Sequence, residues 1–155
     1  MVLRIAGPGA HASEFLVEAA ANGDLRFAKY LVAHSAKVNT SIRDRSTPLS
    51  AAAIEDRTDI ASYLNCAGTG VNHRGILNDT PLHDAAGAGH LDTVKVLGEH
   101  GADACALNNE GHSAAGLARR YFRADVNEYW NASFHCTEAP VGPCGDRSVS
   151  TCVRE

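Results

Sequence analysis

A repeat of 33 residues constrains this chain more than any other feature of its sequence. Thr80-Pro81-Leu82-His83 follows Thr47-Pro48-Leu49-Ser50 at that spacing, and the same register holds Glu14-Phe15-Leu16-Val17 and Ser113-Ala114-Ala115-Gly116. Internal periods of about 20–50 residues are typical of repeat architectures. In such proteins one unit cannot bury its apolar face alone, so each unit packs against its neighbours.

Further positions of the repeat predict two short helices in each unit. Paired small residues recur at Ala19-Ala20, Ala52-Ala53 and Ala85-Ala86, followed by Ala118-Arg119, and another slot holds Leu31, Leu64, Leu97 and Trp130. The small pairs allow two helices to approach closely, and the large residues belong to an apolar stripe between layers. In the third unit, Gly87-Ala88-Gly89-His90 separates the two helical patterns.

The T-P-L-H turn, the alanine pair, the Gly-His turn and the Val71-Asn72 ending together resemble the ankyrin repeat. The resemblance covers roughly residues 11–134 and is most specific at 47–112. It implies an all-α solenoid of about four stacked repeats, each with a β-turn loop and two antiparallel helices. The repeats would span about 14–46, 47–79, 80–112 and 113–134, after an N-terminal lead at 1–10 and before a flexible C-terminal tail at 135–155.

Local features of the repeats lead to two further expectations. Ser13 lies just before the first apolar-periodic residues, where it would cap the first helix. Asn65 and Gly98 fall in the slot where Val32 is apolar. A glycine within a helix costs about 1 kcal/mol relative to alanine, so we expect the second helices of repeats two and three to be the weak points of the stack.

Composition narrows the class of partner and the compartment. The net charge of −4 is spread along the 155 residues, which argues against nucleic acid and anionic membranes, because both require a basic face. No run approaches the roughly 18 apolar residues of a membrane span. The first residues lack the apolar core of a signal peptide. We therefore expect a cytoplasmic or nuclear protein whose five cysteines are reduced thiols.

The sequence predicts neither an enzyme nor a bound cofactor or metal. It contains no P-loop, G-x-S-x-G or H-E-x-x-H motif. The set His135, Cys136, Cys144 and Cys152 could in principle bind zinc, but it lacks a C-x-x-C pair and apolar support. His83 and His90 lie at repeat turns, where hydrogen bonds between loops are expected. Asn39 and Asn72 resemble sites of an asparaginyl hydroxylase, although bonding within their own loops also suits them.

In the ankyrin family, the turn tips and first helices form a concave face that binds protein. Mapping the repeat register onto that face gives a set of expected protein contacts: Arg43 and Asp44 at one tip, Arg74, Ile76 and Leu77 at the next, Asn109 and Glu110 at the third, and Ile54, Glu55 and Tyr121 on the helices. Ile76 and Leu77 are apolar at an exposed tip, so they either contact a partner or fold back on a neighbouring loop. Tyr121 is either a binding hot spot or a cover for the end of the stack.

A narrower resemblance concerns residues 82–97, "LHDAAGAGHLDTVKVL", which are similar to the third repeat of the INK-type inhibitors of cyclin-dependent kinases. Residues 13–24 and 117–129 are similar to the first and fourth repeats of that family. The resemblance implies an intracellular monomer that binds a cyclin-D-dependent kinase and blocks its activation. Asp84 would be the acidic contact to a basic side chain of the kinase, and Asp92 a second, weaker contact.

The chain departs from the inhibitor family on the face that would bind. Residues 47–64 have the pattern of an ordinary repeat, where that family has a shortened first helix, and Arg74 replaces an acidic loop. Gly87 and Ala88 replace charged residues of the family. The alternative is an ankyrin adaptor or a substrate-recognition module, such as the repeats of a Fem-like ubiquitin-ligase receptor, in which sequences similar to "AGAGHLDTVKVL" also occur.

Overall fold

This computed structural model describes residues 10–42, 46–75 and 77–133, and eight short helices account for most of them. Their bounds are α1 Ala10–Asn22, α2 Leu25–Ala33, α3 Pro48–Ile54, α4 Thr58–Cys66, α5 Pro81–Ala88, α6 Leu91–Glu99, α7 Ala114–Arg120 and α8 Ala124–Ser133. Within those described ranges there is no strand. The predicted all-α repeat fold is therefore confirmed. Residues 1–9 of the predicted N-terminal lead at 1–10, and the whole predicted flexible tail at 135–155, lie outside the described residues.

The helices form two layers because each packs on the equivalent helix of the next pair. The odd-numbered helices, called inner helices here, contact one another in chain order, and so do the even-numbered outer helices. The repeated large residues Leu31, Leu64, Leu97 and Trp130 are all buried, as are Leu16, Leu49 and Leu82 of the inner helices. The apolar stripe predicted from the repeat register is thus the core between the layers.

Inner helices α3, α5 and α7 begin at side-chain caps. Thr47 Oγ1 accepts a hydrogen bond from the Ser50 N–H at 3.1 Å, and Ser113 Oγ accepts one from the Gly116 N–H at 3.2 Å. Thr80 and His83 form a capping box at the start of α5. Proline in the first turn of α3 and α5 costs no hydrogen bond, since the N–H groups there have no helical partner.

The alanine pairs also terminate the inner helices. The carbonyls of Ala19, Ala52, Ala85 and Ala118 accept hydrogen bonds from the N–H groups of Asp24, Arg57, His90 and Arg123, at 2.8–3.0 Å. This closure requires a left-handed residue just before the donor. That slot holds Gly23, Asp56, Gly89 and Phe122, with φ between 54° and 90°.

Polar side chains connect neighbouring helix pairs along the stack. At the ends of the inner helices, Arg57 Nε donates to the Ala21 carbonyl at 3.1 Å and Arg123 Nε donates to the Gly87 carbonyl at 2.9 Å. His90 Nε2 lies 2.9 Å from the Ile54 carbonyl oxygen, the equivalent contact between the second and third pairs. The structural role expected for His90 is therefore present.

The loops after the outer helices are joined by asparagines. Asn39 Oδ1 accepts a hydrogen bond from the Gly70 N–H at 2.7 Å, and Asn72 Oδ1 accepts one from the Asp103 N–H at 2.8 Å. Both side chains thus bond the loop of the next repeat, not their own loop as one interpretation of the sequence suggested. The carboxamides act as bridges between repeats.

Two expectations from the sequence are wrong. Ser13 does not cap α1, because that helix begins three residues earlier, at Ala10; the buried Ser13 hydroxyl instead accepts a hydrogen bond from the Lys37 N–H at 3.1 Å. Cys105 is not a reduced thiol, because it is disulfide-bonded, while Cys66 is exposed and free. A disulfide requires Cα atoms roughly 5.5 Å apart. Such proximity is a tertiary property that cysteine spacing does not reveal.

No helix in the described part of the chain combines the length and the apolar character needed to cross a membrane.

Candidate protein-binding face

The candidate binding face consists of the loop tips and the C-terminal ends of the inner helices. Each tip is closed by one backbone hydrogen bond at the same register, from Ile42 N–H to Ser46 O, from Gly75 N–H to Asp79 O and from Asn108 N–H to His112 O, at 2.8–3.1 Å. The inner-helix ends lie at 54–57, 87–90 and 120–123. Predicted contacts Arg43, Asp44 and Ile76 belong to the tips but lie outside the described residues.

The second and third tips bind each other. Arg74 Nη1 donates to the Leu107 carbonyl at 2.9 Å and to the Asn78 carbonyl at 3.2 Å. The Asn109 N–H donates to the Leu77 carbonyl at 2.9 Å. Arg74 therefore supports the tips in addition to any role toward a partner. The Leu77 side chain does not fold away completely, because half of it stays exposed.

Glu110 of the third tip pairs with the inner helix behind it. Arg120 Nη1 donates to Glu110 Oε2 at 2.9 Å and lies 3.0 Å from His112 Nε2. Both partners of the ion pair are about half exposed. An exposed pair of this kind adds little stability, so its effect is chiefly to orient both side chains on the face.

Asp84 is the most perturbed carboxyl group of the face. It is half-buried on α5. Burial raises the pKa of Asp84 to about 7, and the nearby Asp79 carboxylate raises it too, while the Ser50 side chain of α3 opposes the shift. No lysine, arginine or histidine forms a salt bridge with Asp84 anywhere in the described ranges. Its charge thus has no basic partner there.

Asp92, the other acidic contact suggested by the sequence, lies in a different layer. It is in the first turn of outer helix α6, where it is exposed and 3.4 Å from Lys95 Nζ. Asp84 is on inner helix α5. The two aspartates therefore do not belong to one site formed by a single layer.

The inner-helix ends carry exposed apolar side chains. Ile54 is 46% exposed, and Glu55 beside it is also exposed. Tyr121 is 52% exposed, with its ring beside Gly87: a Cβ added at that glycine would lie 3.7 Å from Tyr121 Cδ2. A methyl group at position 87 would make an ordinary van der Waals contact with the ring, so Tyr121 packs directly on this part of α5.

Phe122 was missed by the sequence analysis. Its side chain is 90% exposed and its φ is 57°. It borders an open depression of about 240 Å³ lined by Ala88, Gly89, Phe122, Arg123, Ala124, Asp125 and Val126. The repeat register contained the signal, because 33 and 99 residues earlier the same slot holds Gly89 and Gly23. A phenylalanine where glycine is favoured marks an unusual position.

Histidine in this region is structural. His83 is buried, with Nδ1 2.8 Å from Thr80 Oγ1 and Nε2 3.1 Å from the His112 carbonyl oxygen. Burial lowers the pKa of His83, so the neutral form is favoured. In the described segments, no group of three or more His, Cys, Asp or Glu side chains is placed to hold a metal ion. The potential zinc set from His135 to Cys152 lies outside them.

Residues 77–109 match the family model described as "Ankyrin repeat". The chain is 36% identical to "Palmitoyltransferase ZDHHC13" of Homo sapiens over 104 residues, which are 66% of this chain and 17% of that protein. It is 31% identical to "Ankyrin repeat and SOCS box protein 11" of Homo sapiens over 108 residues, 70% of this chain and 33% of that protein. It is 48% identical to "Ankyrin repeat domain-containing protein 45" of Danio rerio over 50 residues, 32% of this chain and 22% of that protein.

The matched region spans between 17% and 33% of the length of these curated relatives. A palmitoyltransferase activity named for a much longer protein therefore does not transfer to this chain. What the matches and the fold share is a non-enzymatic architecture that binds other proteins. Residues 77–109 form an ankyrin repeat, and the eight helices together form an ankyrin-repeat solenoid, a protein–protein interaction module.

Proposed function

We propose that this chain is an adaptor: a non-catalytic recognition module that holds a protein partner on the binding face of loop tips and inner-helix ends. The observation that carries this proposal is the distribution of exposed apolar side chains. Of the seven large ones exposed in the described ranges, five lie on or beside that face: Ile54, Leu77, Leu107, Tyr121 and Phe122. Exposed apolar groups concentrated on one face are typical of interaction sites.

The remaining two exposed apolar residues have partners on their own helix. Phe27 and Tyr30 lie on outer helix α2, with ring centroids 6.4 Å apart, and Tyr30 also stacks on His34 at 4.0 Å. The relatives support the same proposal, because in each the similar region is a minor part of a longer protein. A recognition module within a larger assembly would have that arrangement.

Comparative affinity capture tests the adaptor proposal. The tagged wild type, an Ile54→Glu/Leu77→Glu variant and a Tyr30→Ser control would be used to capture proteins from the same lysate, with helicity checked by circular dichroism. We expect a set of partners retained by wild type and control and lost by the face variant, with the leading partner then verified by calorimetry using purified proteins. Equal capture by all three folded proteins would contradict the proposal.

Kinase inhibition is the second candidate function, and the environment of Asp84 favours it. A half-buried carboxyl group without a basic partner can be completed by a cation from another protein, and breaking such a desolvated pair costs a few kcal/mol. Residues 82–97 resemble the INK-type inhibitors, and this resemblance implies that the cation belongs to a cyclin-D-dependent kinase.

The kinase hypothesis is tested by titrating the chain into a purified cyclin-D-dependent kinase in a calorimeter. We expect submicromolar binding that Asp84→Asn weakens by at least about tenfold. Glu99→Gln, an exposed change at the end of outer helix α6, is the matched control and would leave binding intact. Absence of binding by a folded sample would exclude the inhibitor and leave the adaptor proposal unaffected.

A further inference from the structure

Phe122 occupies a position that disfavours a phenylalanine twice over. Its backbone is left-handed, with φ of 57°, where side chains with a Cβ meet steric resistance. Its ring is 90% exposed, so burial within the described fold does not compensate. The left-handed angle itself ends the inner helix, as it does at the equivalent slot of each repeat, so what distinguishes position 122 is the exposed aromatic side chain. No contact within the described solenoid therefore covers the ring, and a bound partner could do so.

The side chains around Phe122 are held in place. Arg123 Nε donates to the Gly87 carbonyl at 2.9 Å, and this bond fixes the guanidinium beside the depression. The terminal N–H groups of the guanidinium make no hydrogen bond within the described chain. Tyr121 lies against Gly87 on the other side of Phe122. Phe122 and Arg123 thus line one concave surface, and Tyr121 precedes them in the chain.

We propose that Tyr121, Phe122 and Arg123 form an anchor site for a protein segment that places an apolar side chain next to a carboxylate. This proposal deepens the adaptor function and rests on it. The apolar side chain would pack on the Phe122 ring in the depression, and the carboxylate would accept hydrogen bonds from the Arg123 guanidinium. Aromatic residues and arginine are the residue types most often found at binding hot spots.

Local charge favours an acidic occupant. Residues 119–123 contain three arginines, of which Arg120 is already paired with Glu110. Arg119 and Arg123 are exposed and form no salt bridge within the described ranges. Asp125, on the rim of the depression, is in the first turn of α8, where a carboxylate is stabilised by the helix dipole. A planar guanidinium binds a carboxylate through two parallel hydrogen bonds, which gives directional recognition.

Selection from a phage-displayed library of random dodecapeptides on the full chain tests this site. The most enriched sequence would be synthesised with a fluorescent label and measured by anisotropy against wild type, Phe122→Gly, Arg123→Gln and the control Tyr30→Ser. We expect enrichment of Asp or Glu adjacent to Leu, Phe or Trp. We also expect at least about tenfold weaker binding to both site variants and unchanged binding to the control.

Phe122→Gly makes the test independent of folding defects. Glycine adopts φ of 57° without a steric penalty, so this variant should unfold at a higher temperature than wild type while losing the peptide. If the ring had only a structural role, its removal would lower the unfolding temperature. That result would overturn the proposal.

Other outcomes of the same experiment are equally decisive. Enrichment of basic peptides, no enrichment by a folded chain, or binding unaffected by both site variants would overturn the anchor site. Tight binding of a labelled oligouridylate would also overturn it, because the aromatic and basic residues would then bind nucleic acid. Phe122-dependent dimerisation in sedimentation would overturn it as well. If the Phe122→Gly variant still captures the partners that the Ile54→Glu/Leu77→Glu variant loses, that result would contradict the anchor site and leave the adaptor proposal unaffected.

Discussion

The Ser50 side chain of inner helix α3 stabilises the charged form of Asp84 on inner helix α5. Ser50 occupies the slot that His83 fills one repeat later, where the imidazole instead contacts the backbone carbonyl of His112. The Thr47 hydroxyl in turn donates to Ser50 at 3.1 Å. The second repeat is therefore joined to the third through a half-buried acid, and the third to the fourth through a buried neutral histidine.

Asp84 makes the stack less stable as the pH rises. Its pKa is about 7 in the fold and near 3.8 in the unfolded chain, so folding favours the protonated form. The contribution of Asp84 to stability is full below pH about 4 and is lost progressively up to pH about 7. We expect Asp84→Asn to stabilise the protein by on the order of 2 kcal/mol at pH 8, and by much less at pH 4.5.

Urea unfolding of wild type and variant at both pH values measures this difference. Asp92→Asn, at an exposed carboxylate beside Lys95, is the control and should change stability little at either pH. A stabilisation of the same size at pH 4.5 and pH 8 would show that the charge of Asp84 is not the cause.

His83 has the opposite pH dependence. Burial lowers the pKa of His83 below its usual 6.5, so its contribution to stability is present above pH about 6.5 and is lost as the pH falls through the lowered value. We expect His83→Gln to cost about 2 kcal/mol at pH 7.5, because a buried capping bond is disrupted. The same variant should show a smaller loss of stability than wild type between pH 6.5 and pH 5. Urea unfolding at both pH values measures this loss. The same loss of stability in both proteins would contradict the role of His83.

Asn65 is a weak point that a hydrophobic residue should repair. Both its side-chain amide atoms are buried and have no hydrogen-bond partner among the described residues. An unsatisfied buried polar group costs about 1–3 kcal/mol, so Asn65→Leu should raise the free energy of unfolding by about 1 kcal/mol or more. The matched control is Asn72→Leu, which removes the bridge to Asp103 and should destabilise. Differential scanning calorimetry would compare them, and a lower midpoint for Asn65→Leu would disprove the assignment.

At the left-handed slot that ends the inner helices, two substitutions should change stability in opposite directions. A Cβ at Gly89, where φ is 90°, would lie 2.8 Å from Arg123 Cδ and disturb its bond to Gly87. We expect Gly89→Ala to cost about 2 kcal/mol and Phe122→Gly to contribute about 1 kcal/mol of stability. Thermal unfolding under identical conditions measures both. Effects of the same sign would mean that the backbone conformation does not control stability at this slot.

The fold was predictable because its main determinant is periodic. Leu64, Leu97 and Trp130 are buried where the 33-residue register places them, since stacked repeats bury equivalent positions. The same register predicts Tyr121 and Ile54 at inner-helix ends, where they are exposed.

What the sequence did not reveal depends on contacts between repeats or on backbone angles. The interaction of Ser50 with Asp84 joins two repeats, so it depends on how the stack brings α3 and α5 together. The importance of Phe122 depends on a positive φ, and the disulfide of Cys105 depends on tertiary proximity. Spacing along a chain specifies neither the interaction nor the disulfide, and for Phe122 it shows only that glycine fills the equivalent slot at 89 and 23.

Hydrogen exchange on the complex with the partner captured by wild type would locate the bound protein on the solenoid. If a protein binds the loop tips and inner-helix ends, amides at 52–57, 75–80, 107–112 and 119–124 should exchange more slowly in the complex, while those of outer helices α2 and α4 should be unchanged. Protection confined to the outer helices, with none at the tips and inner-helix ends, would contradict the account.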